Sequence, residues 1–207
     1  MKISKLSVNL KRTNRIDFFV DGQYAGTLSQ AVVAEQGVYQ GKEITEAELN
    51  EILTSEAVYT LKIRAIELIL KRPRSEREIR DYLNKKNVYK NLADEIIEQI
   101  VTELKAKKYV DDDAFTVWWI DNRNQFKGRS RAELRNELYR KGVAKDTIEM
   151  HLQGQEVNER EVLKDLVAKK LKSLAGKDLS PIKKKQKLIE YLLRKGFTWD
   201  DIKQQLE

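Results

Sequence analysis

The sequence has no cysteine, a single histidine, two prolines and no long uninterrupted apolar run. Without cysteine there is no disulfide framework and no thiolate metal site, and one histidine leaves little for a metal centre or a catalytic triad. The lack of an apolar run argues against a membrane span or a secretory signal, so the expected address is the cytoplasm. Few prolines and nine glycines over 207 residues favour long helices over a many-stranded sandwich. Aromatics supply only 8% of the chain, whereas charged residues supply 35%, which predicts several small, well-solvated packed units instead of one thick core.

What the chain has in abundance is positive charge, placed periodically. The net charge is +7. Residues 71–90 carry 8 basic and 3 acidic groups, 123–141 carry 7 and 2, and 183–195 carry 6 and 1, a local excess of five each time. These windows coincide with a repeated stretch. Arg129 to Val143 reads as a complete helix in which Ser130 and Glu133 form a capping box, Leu134 and Leu138 share a face, and Gly142 ends the helix in a left-handed cap. Arg74 to Val88 repeats it on the N-terminal side and Lys183 to Phe197 on the C-terminal side, at nearly equal spacing.

Aligned without gaps, the copies equate Ile79, Leu134 and Leu188, then Leu83, Leu138 and Leu192, then Val88, Val143 and Phe197. Five residues further on, Ile148 and Ile202 begin a fourth column in the following helix, which Ile97 joins when a four-residue insertion is allowed in the first copy. Flanking helices are predicted at 59–71, 92–107, 113–126, 146–152, 159–174 and from 199 onward. Asn87 stands where the other copies have glycine and is expected to take the left-handed cap. Phe115, Trp119, Asn122 and Phe126 follow heptad spacing, which assigns Trp119 to the buried stripe and turns Trp118 away from it.

The segment before Glu56 differs. Leu6, Val8 and Leu10 alternate with polar residues, as do Ile16, Phe18 and Val20, and Asp21-Gly22 supplies a hairpin turn into Tyr24–Thr27. Phe18, Phe19 and Tyr24 are expected to pack on a helix starting near Ser29 or on the first repeat, and a second short helix is predicted from Thr45 to about Leu53. The expected organisation is mainly α. A small N-terminal β-meander/α domain (1–55) precedes three tandem three-helix-bundle, helix-turn-helix-like repeats (56–110, 111–155, 156–207) in an elongated array.

Three basic columns run through the repeats: Arg74, Arg129 and Lys183 before the middle helix, Lys85, Arg140 and Arg194 near its end, and Lys86, Lys141 and Lys195 at its end. Cations at a helix C-terminus are explained in part by the helix dipole, but those at the N-terminus oppose it, and they point to an external polyanion or acidic protein face. Arg72, Arg77, Arg80, Arg123, Lys127, Arg131, Arg135, Lys184, Lys185, Lys187 and the outward-turned Trp118 extend the candidate binding surface. Charge reversal at Arg129, Arg135 and Arg140 is expected to weaken binding without unfolding the bundle. In DNA-reading helix-turn-helix modules the recognition helix is the basic one. Here the third helices are acidic, with Asp94, Glu95, Glu98 and Glu103 in the first copy, so base-specific reading is not expected. Asp111–Asp113 reads as an N-cap, not a metal cluster, and there is no phosphate loop or nucleophile elbow, so no catalytic site, metal or cofactor is expected.

Tyr109-Val110-Asp111-Asp112, Phe115, Trp119, Asn122-Arg123, Arg129-Ser130, Glu133-Leu134-Arg135, Glu137-Leu138 and Lys141-Gly142-Val143 resemble the central motif of the RecX regulatory proteins. Arg72-Pro73-Arg74-Ser75 with Glu78-Ile79 and Tyr82-Leu83, and the closing Leu192 to Ile202, resemble its flanking repeats, and Phe19-Val20-Asp21-Gly22 is similar to an extension found in low-GC Gram-positive members. Thr116 departs from the usual alanine, as Asn87 does from glycine. The resemblance implies three tandem three-helix repeats. It also implies a monomeric, noncatalytic inhibitor that lodges in the groove of the RecA filament on single-stranded, or also double-stranded, DNA and suppresses ATP hydrolysis and strand exchange. The alternative from the charge pattern alone is a sequence-nonspecific DNA-binding protein that acts without RecA.

Overall fold

The computed structural model describes residues 1–10, 14–87, 92–127, 129–154 and 159–206, with the side chains of 124–127 and of 154 left aside. Among the described residues three strands and ten helices follow one another: β1 (Ile3–Val8), β2 (Arg15–Val20), β3 (Gln23–Ser29), α1 (Gln30–Glu35), α2 (Glu46–Lys71), α3 (Glu76–Asn87), α4 (Asp94–Ala106), α5 (Asp112–Lys127), α6 (Arg131–Arg140), α7 (Lys145–Gly154), α8 (Glu159–Ala175), α9 (Pro181–Arg194) and α10 (Trp199–Leu206). Two compact units form, one from Met1–Arg72 with Ile79–Tyr109 and one from Pro73–Glu78 with Val110–Glu207. Among the described residues no helix is long and apolar enough to cross a membrane.

The strands make an antiparallel sheet in the order β1-β2-β3. Asp21 (φ 48°) and Gly22 (φ 81°) both adopt the left-handed conformation a tight two-residue hairpin requires, as the Asp-Gly pair predicts. Successive strand side chains face opposite ways, so Phe18 enters a core with Ile3, Leu28 and Val32, while Phe19 and Tyr24 meet edge to face at 5.7 Å on the other side. Only Phe18 of the three expected aromatics is therefore a core residue. A register shift between Ile3 and Lys5 re-aims β1: Ile3 is buried, Val8 is exposed, and Leu10 lies beyond the strand in solvent.

Thr45 and Glu48 close the predicted capping box, but the helix they start does not end near Leu53. No glycine or proline interrupts 46–71, and α2 runs unbroken over 26 residues. Its buried Glu56 accepts hydrogen bonds from the Ser29 N–H (2.6 Å), the Thr60 hydroxyl (2.7 Å) and the Arg15 guanidinium, which pins the helix to β2 and β3. The helix stops at Arg72, whose extended backbone (φ −167°, ψ 155°) is the conformation that a following proline imposes.

The predicted apolar columns are interior wherever they are described. Ile79, Leu134 and Leu188, then Leu83, Leu138 and Leu192, then Ile97, Ile148 and Ile202 are all buried, as are Val143 and Phe197. Val88 lies outside the described residues. Within unit two, Phe115, Ile120, Leu134, Leu138, Val143, Ile148 and Leu152 form one cluster, and Leu163, Val167, Leu188, Leu192, Phe197 and Ile202 another. At about 1.5 to 3 kcal/mol for each fully buried aliphatic side chain, each cluster suffices to hold its three helices. Thr116, which replaces the usual alanine, is fully buried and donates its hydroxyl to the Asp112 carbonyl (2.6 Å), so the extra polar group is satisfied inside its own helix. Asn87 is the last residue of α3, not a left-handed cap; its amide brackets Leu92, donating to the carbonyl (2.8 Å) and accepting from the N–H (2.9 Å).

Candidate functional site

The middle helices α3, α6 and α9 carry the basic columns, and their ends are where the repeats of unit two meet. The Ser130 hydroxyl caps α6, accepting from the Glu133 N–H at 3.1 Å. The same hydroxyl donates to the carbonyl of Lys195 at the end of α9. One repeat earlier, Ser75 accepts from the Glu78 N–H (3.2 Å) and donates to the carbonyl of Lys141 at the end of α6 (2.7 Å). A single serine thus satisfies a donor at one helix start and an acceptor at another helix end, both of which lack partners within their own helices.

Three further contacts repeat with it. Lys141 Nζ meets Glu78 Oε1 at 2.8 Å, and Lys195 Nζ meets Glu133 Oε1 at 2.9 Å. The first-turn N–H of Glu76 donates to Asp112 (2.8 Å), and that of Arg131 donates to Glu159 (2.9 Å). Gly142 (φ 82°) and Gly196 (φ 86°) lie so close to the neighbouring helix that a β-carbon on them would stand 2.6 Å from Arg77 Cβ and 2.4 Å from Ala132 Cβ. The carboxylate that the sequence assigned to a local capping box at Glu133 instead holds the next repeat.

The C-terminal column of Lys141 and Lys195 is therefore a fastening between repeats, beyond any dipole effect. The N-terminal column is also answered internally: Arg129 meets Glu133 at 3.2 Å and Glu137 at 3.6 Å, and Arg74 meets Glu78 at 3.9 Å. The carboxylates further along each helix supply the counter-charge that the periodicity alone places outside the chain. Lys183 departs from its column: Ser180 and Pro181 start α9 one turn early, so Lys183 lies inside the first turn of the helix, with Lys184 and Lys185 beside it and no acidic residue in that turn.

The other candidates sort by partner. Arg80 grips Glu98 through two 2.7 Å hydrogen bonds, and its counterpart Arg135 grips Glu149 at 2.5 and 3.0 Å, tying middle to third helix in the first two repeats. Arg123 donates to Glu137 (2.7 Å) and lies 4.4 Å over the Trp119 ring, Arg131 approaches Glu159 at 3.8 Å, and Lys86 lies over Tyr82. Arg72 is half-buried, and Arg77 is exposed at its head while its stem lies under Gly142. Lys127 and Phe126 lie outside the described side chains. The indole expected to face outward, Trp118, is half-buried against Phe115, whereas Trp119 donates its Nε1–H to Glu137 (2.9 Å) and also receives Lys141 at 5.0 Å. Sequence reasoning missed the polar partner set of Glu78, Glu133, Glu137, Ser75 and Glu159. Its only trace in the sequence is that Glu78 stands almost as far from Lys141 as Glu133 does from Lys195.

One basic column remains unanswered. Lys85, Arg140 and Arg194 are exposed, and none has a carboxylate partner among the described residues. Unanswered charge also collects at the corner between α8 and α9. Residues 169–187 hold eight lysines and one aspartate, a net +7 that equals the net charge of the entire chain. Six of the eight are exposed, Lys170 lies 4.8 Å over Tyr191, and Lys184 reaches the Ala175 carbonyl (3.4 Å).

The Arg135 guanidinium holds the Glu149 carboxyl below its ordinary value, as Arg80 does for Glu98. A carboxyl depressed on folding adds stability that is fully present above the unfolded-state value of about 4.3 and is lost as pH falls through the lower folded-state value. The melting temperature of E149Q is thus expected below that of the wild type at pH 7, with the two converging below about pH 4. Parallel melting curves across that range would show that the pair contributes nothing. Asp111 accepts from the Asp113 and Ala114 N–H groups as the N-cap of α5, and His151 pairs with Asp113 at 2.9 Å.

Residues 111–152 match the family description "RecX, second three-helix domain", and residues 158–206 match "RecX, third three-helix domain". The regulatory protein RecX of Bacillus velezensis is 32% identical over 99% of this chain and 76% of its own length, and that of Clostridium botulinum is 29% identical over 98% and 93%. A crystal structure of regulatory protein RecX superposes with a TM-score of 0.74 at 24% identity, covering 99% of this chain and 98% of that one. RecX from Lactobacillus salivarius gives 0.61 at 18% identity over 73% and 96%. On these likenesses, the chain belongs to the RecX family of regulatory proteins.

Proposed function

We propose that the protein is a noncatalytic inhibitor of RecA that binds the RecA–single-stranded DNA filament along its groove and suppresses ATP hydrolysis and strand exchange. The observation that carries this reading, together with the family, is the distribution of unanswered charge. Four of the six members of the other two columns are paired with acids inside the fold, Arg74, Arg129, Lys141 and Lys195, whereas Lys85, Arg140 and Arg194 form the one column exposed in all three repeats with no internal acid among the described residues. A chain that pairs many of its arginines with its own carboxylates and keeps an exposed cation at the same place in every repeat is suited to a repeating, acidic track.

The test is a titration of RecA–single-stranded DNA ATPase at two salt concentrations. Wild-type protein is expected to inhibit, R140E/R194E to lose most of that inhibition while melting like the wild type, and R129E to lose stability instead, because Arg129 lies between two glutamates. Full inhibition by R140E/R194E would remove this column from the contact. A second reading, sequence-nonspecific DNA binding without RecA, is favoured by the all-lysine corner of residues 169–187, since lysine meets a phosphate backbone as a point charge without selecting bases. It requires binding to bare DNA that weakens steeply with salt and a RecA ATPase that does not respond.

A further inference from the structure

The two junctions of unit two are joined through the second repeat by a run of ion pairs that passes across the ring of Trp119. It begins at Glu78, whose carboxylate holds Lys141. Lys141 and Arg123 both lie against the Trp119 ring, and the indole N–H and the Arg123 Nε–H both end on the same oxygen, Glu137 Oε2. The other oxygen of Glu137 faces Arg129 at 3.6 Å, Arg129 reaches Glu133 at 3.2 Å, and Glu133 holds Lys195. The carboxylates are only 17–22% exposed, so solvent and salt screen these contacts weakly.

We propose that this run couples the junctions, so that loss of the Glu133 charge at the second junction loosens the first, with Arg129 as the pivot. Arg129 stands between two carboxylates at nearly equal distances and has two arrangements open to it. Removing the charge of Glu133 commits the guanidinium to Glu137 and draws that carboxylate away from Trp119 and Arg123. Lys141 then loses the ordered ring that lies beside it, and its hold on Glu78 weakens. A partner that engages the third repeat would in this way alter how the segment 73–78 is held on the second, without touching it. The coupling does not depend on RecA being that partner.

Each junction carries its own reporter. First-turn amides have no acceptor within their helix, so the Glu76 N–H is shielded by Asp112 and the Arg131 N–H by Glu159. Residue-resolved hydrogen exchange of the full chain reads both. E133Q, which acts on the second junction, is expected to speed exchange at Arg131 and also, by roughly five-fold, at Glu76. E133A removes the same charge with a different side chain and should act alike, which guards against a fold defect peculiar to one variant. E137Q interrupts the run, so adding E133Q to it should leave Glu76 exchange no faster than in E137Q alone. Unchanged Glu76 exchange in both E133Q and E133A overturns the proposal, and so do fully additive increments in E133Q/E137Q.

Discussion

Gly196→Ala is expected to destabilise the C-terminal repeats by roughly 2 to 5 kcal/mol, the largest effect of substituting any described glycine. Two costs combine. At φ 86° the backbone occupies the left-handed region, where a β-carbon costs about 1 to 2 kcal/mol. That β-carbon would also stand 2.4 Å from Ala132 Cβ and 3.3 Å from the Ser130 hydroxyl, atoms that have no flexible tail with which to withdraw. Urea denaturation checks it, with Gly22→Ala as the control: its φ of 81° is nearly the same, but nothing lies within 4 Å of the added carbon, so only the conformational cost should appear. Equal losses in the two variants would mean that the approach of α9 to α6 contributes nothing.

Glu56→Ala is expected to cost about 3 to 5 kcal/mol, because it removes one partner of a buried ion pair and strands the other. Among the described residues Arg15, with its side chain 19% exposed, would keep only the Thr60 hydroxyl, and the Ser29 N–H would lose its acceptor. Those groups join β2, β3 and α2, so the loss should appear as loosening of the N-terminal sheet on the long helix, visible as faster amide exchange in β2 and β3. Glu56→Gln, which can still accept from Ser29, should recover part of the loss. A melting curve of Glu56→Ala that matches the wild type would contradict the assignment of this pair as the fastening of the sheet.

Local chemistry was legible in the sequence wherever a residue's role is set by its immediate neighbours. Ser130 and Thr45 cap helices as their spacing predicts, Asp21-Gly22 turns the hairpin, and the repeated leucines and isoleucines are interior. Roles set by a distant segment were not legible. A capping box looks the same whether its glutamate returns to its own helix, as Glu48 does to Thr45, or reaches a lysine of the next repeat, as Glu133 does. For the same reason Arg129 read as an unanswered charge: periodicity states which residues share a helix face but not which carboxylates are drawn to it in the folded chain. The continuity of α2 was missed for the opposite reason, since a strong start signal at Thr45 implied a short helix although nothing in the following residues could stop one.

The serine that serves two helices also bears on how such a chain changes its length. Each joint is made from a hydroxyl and a carboxylate near the start of one middle helix and a backbone carbonyl, a lysine and a glycine at the end of the next. Every unit that lies between two others therefore carries both halves of the same joint. Duplicating or deleting a whole internal unit of the gene would bring matching halves together again at once, so copy number in this architecture can vary without a new interface having to be invented.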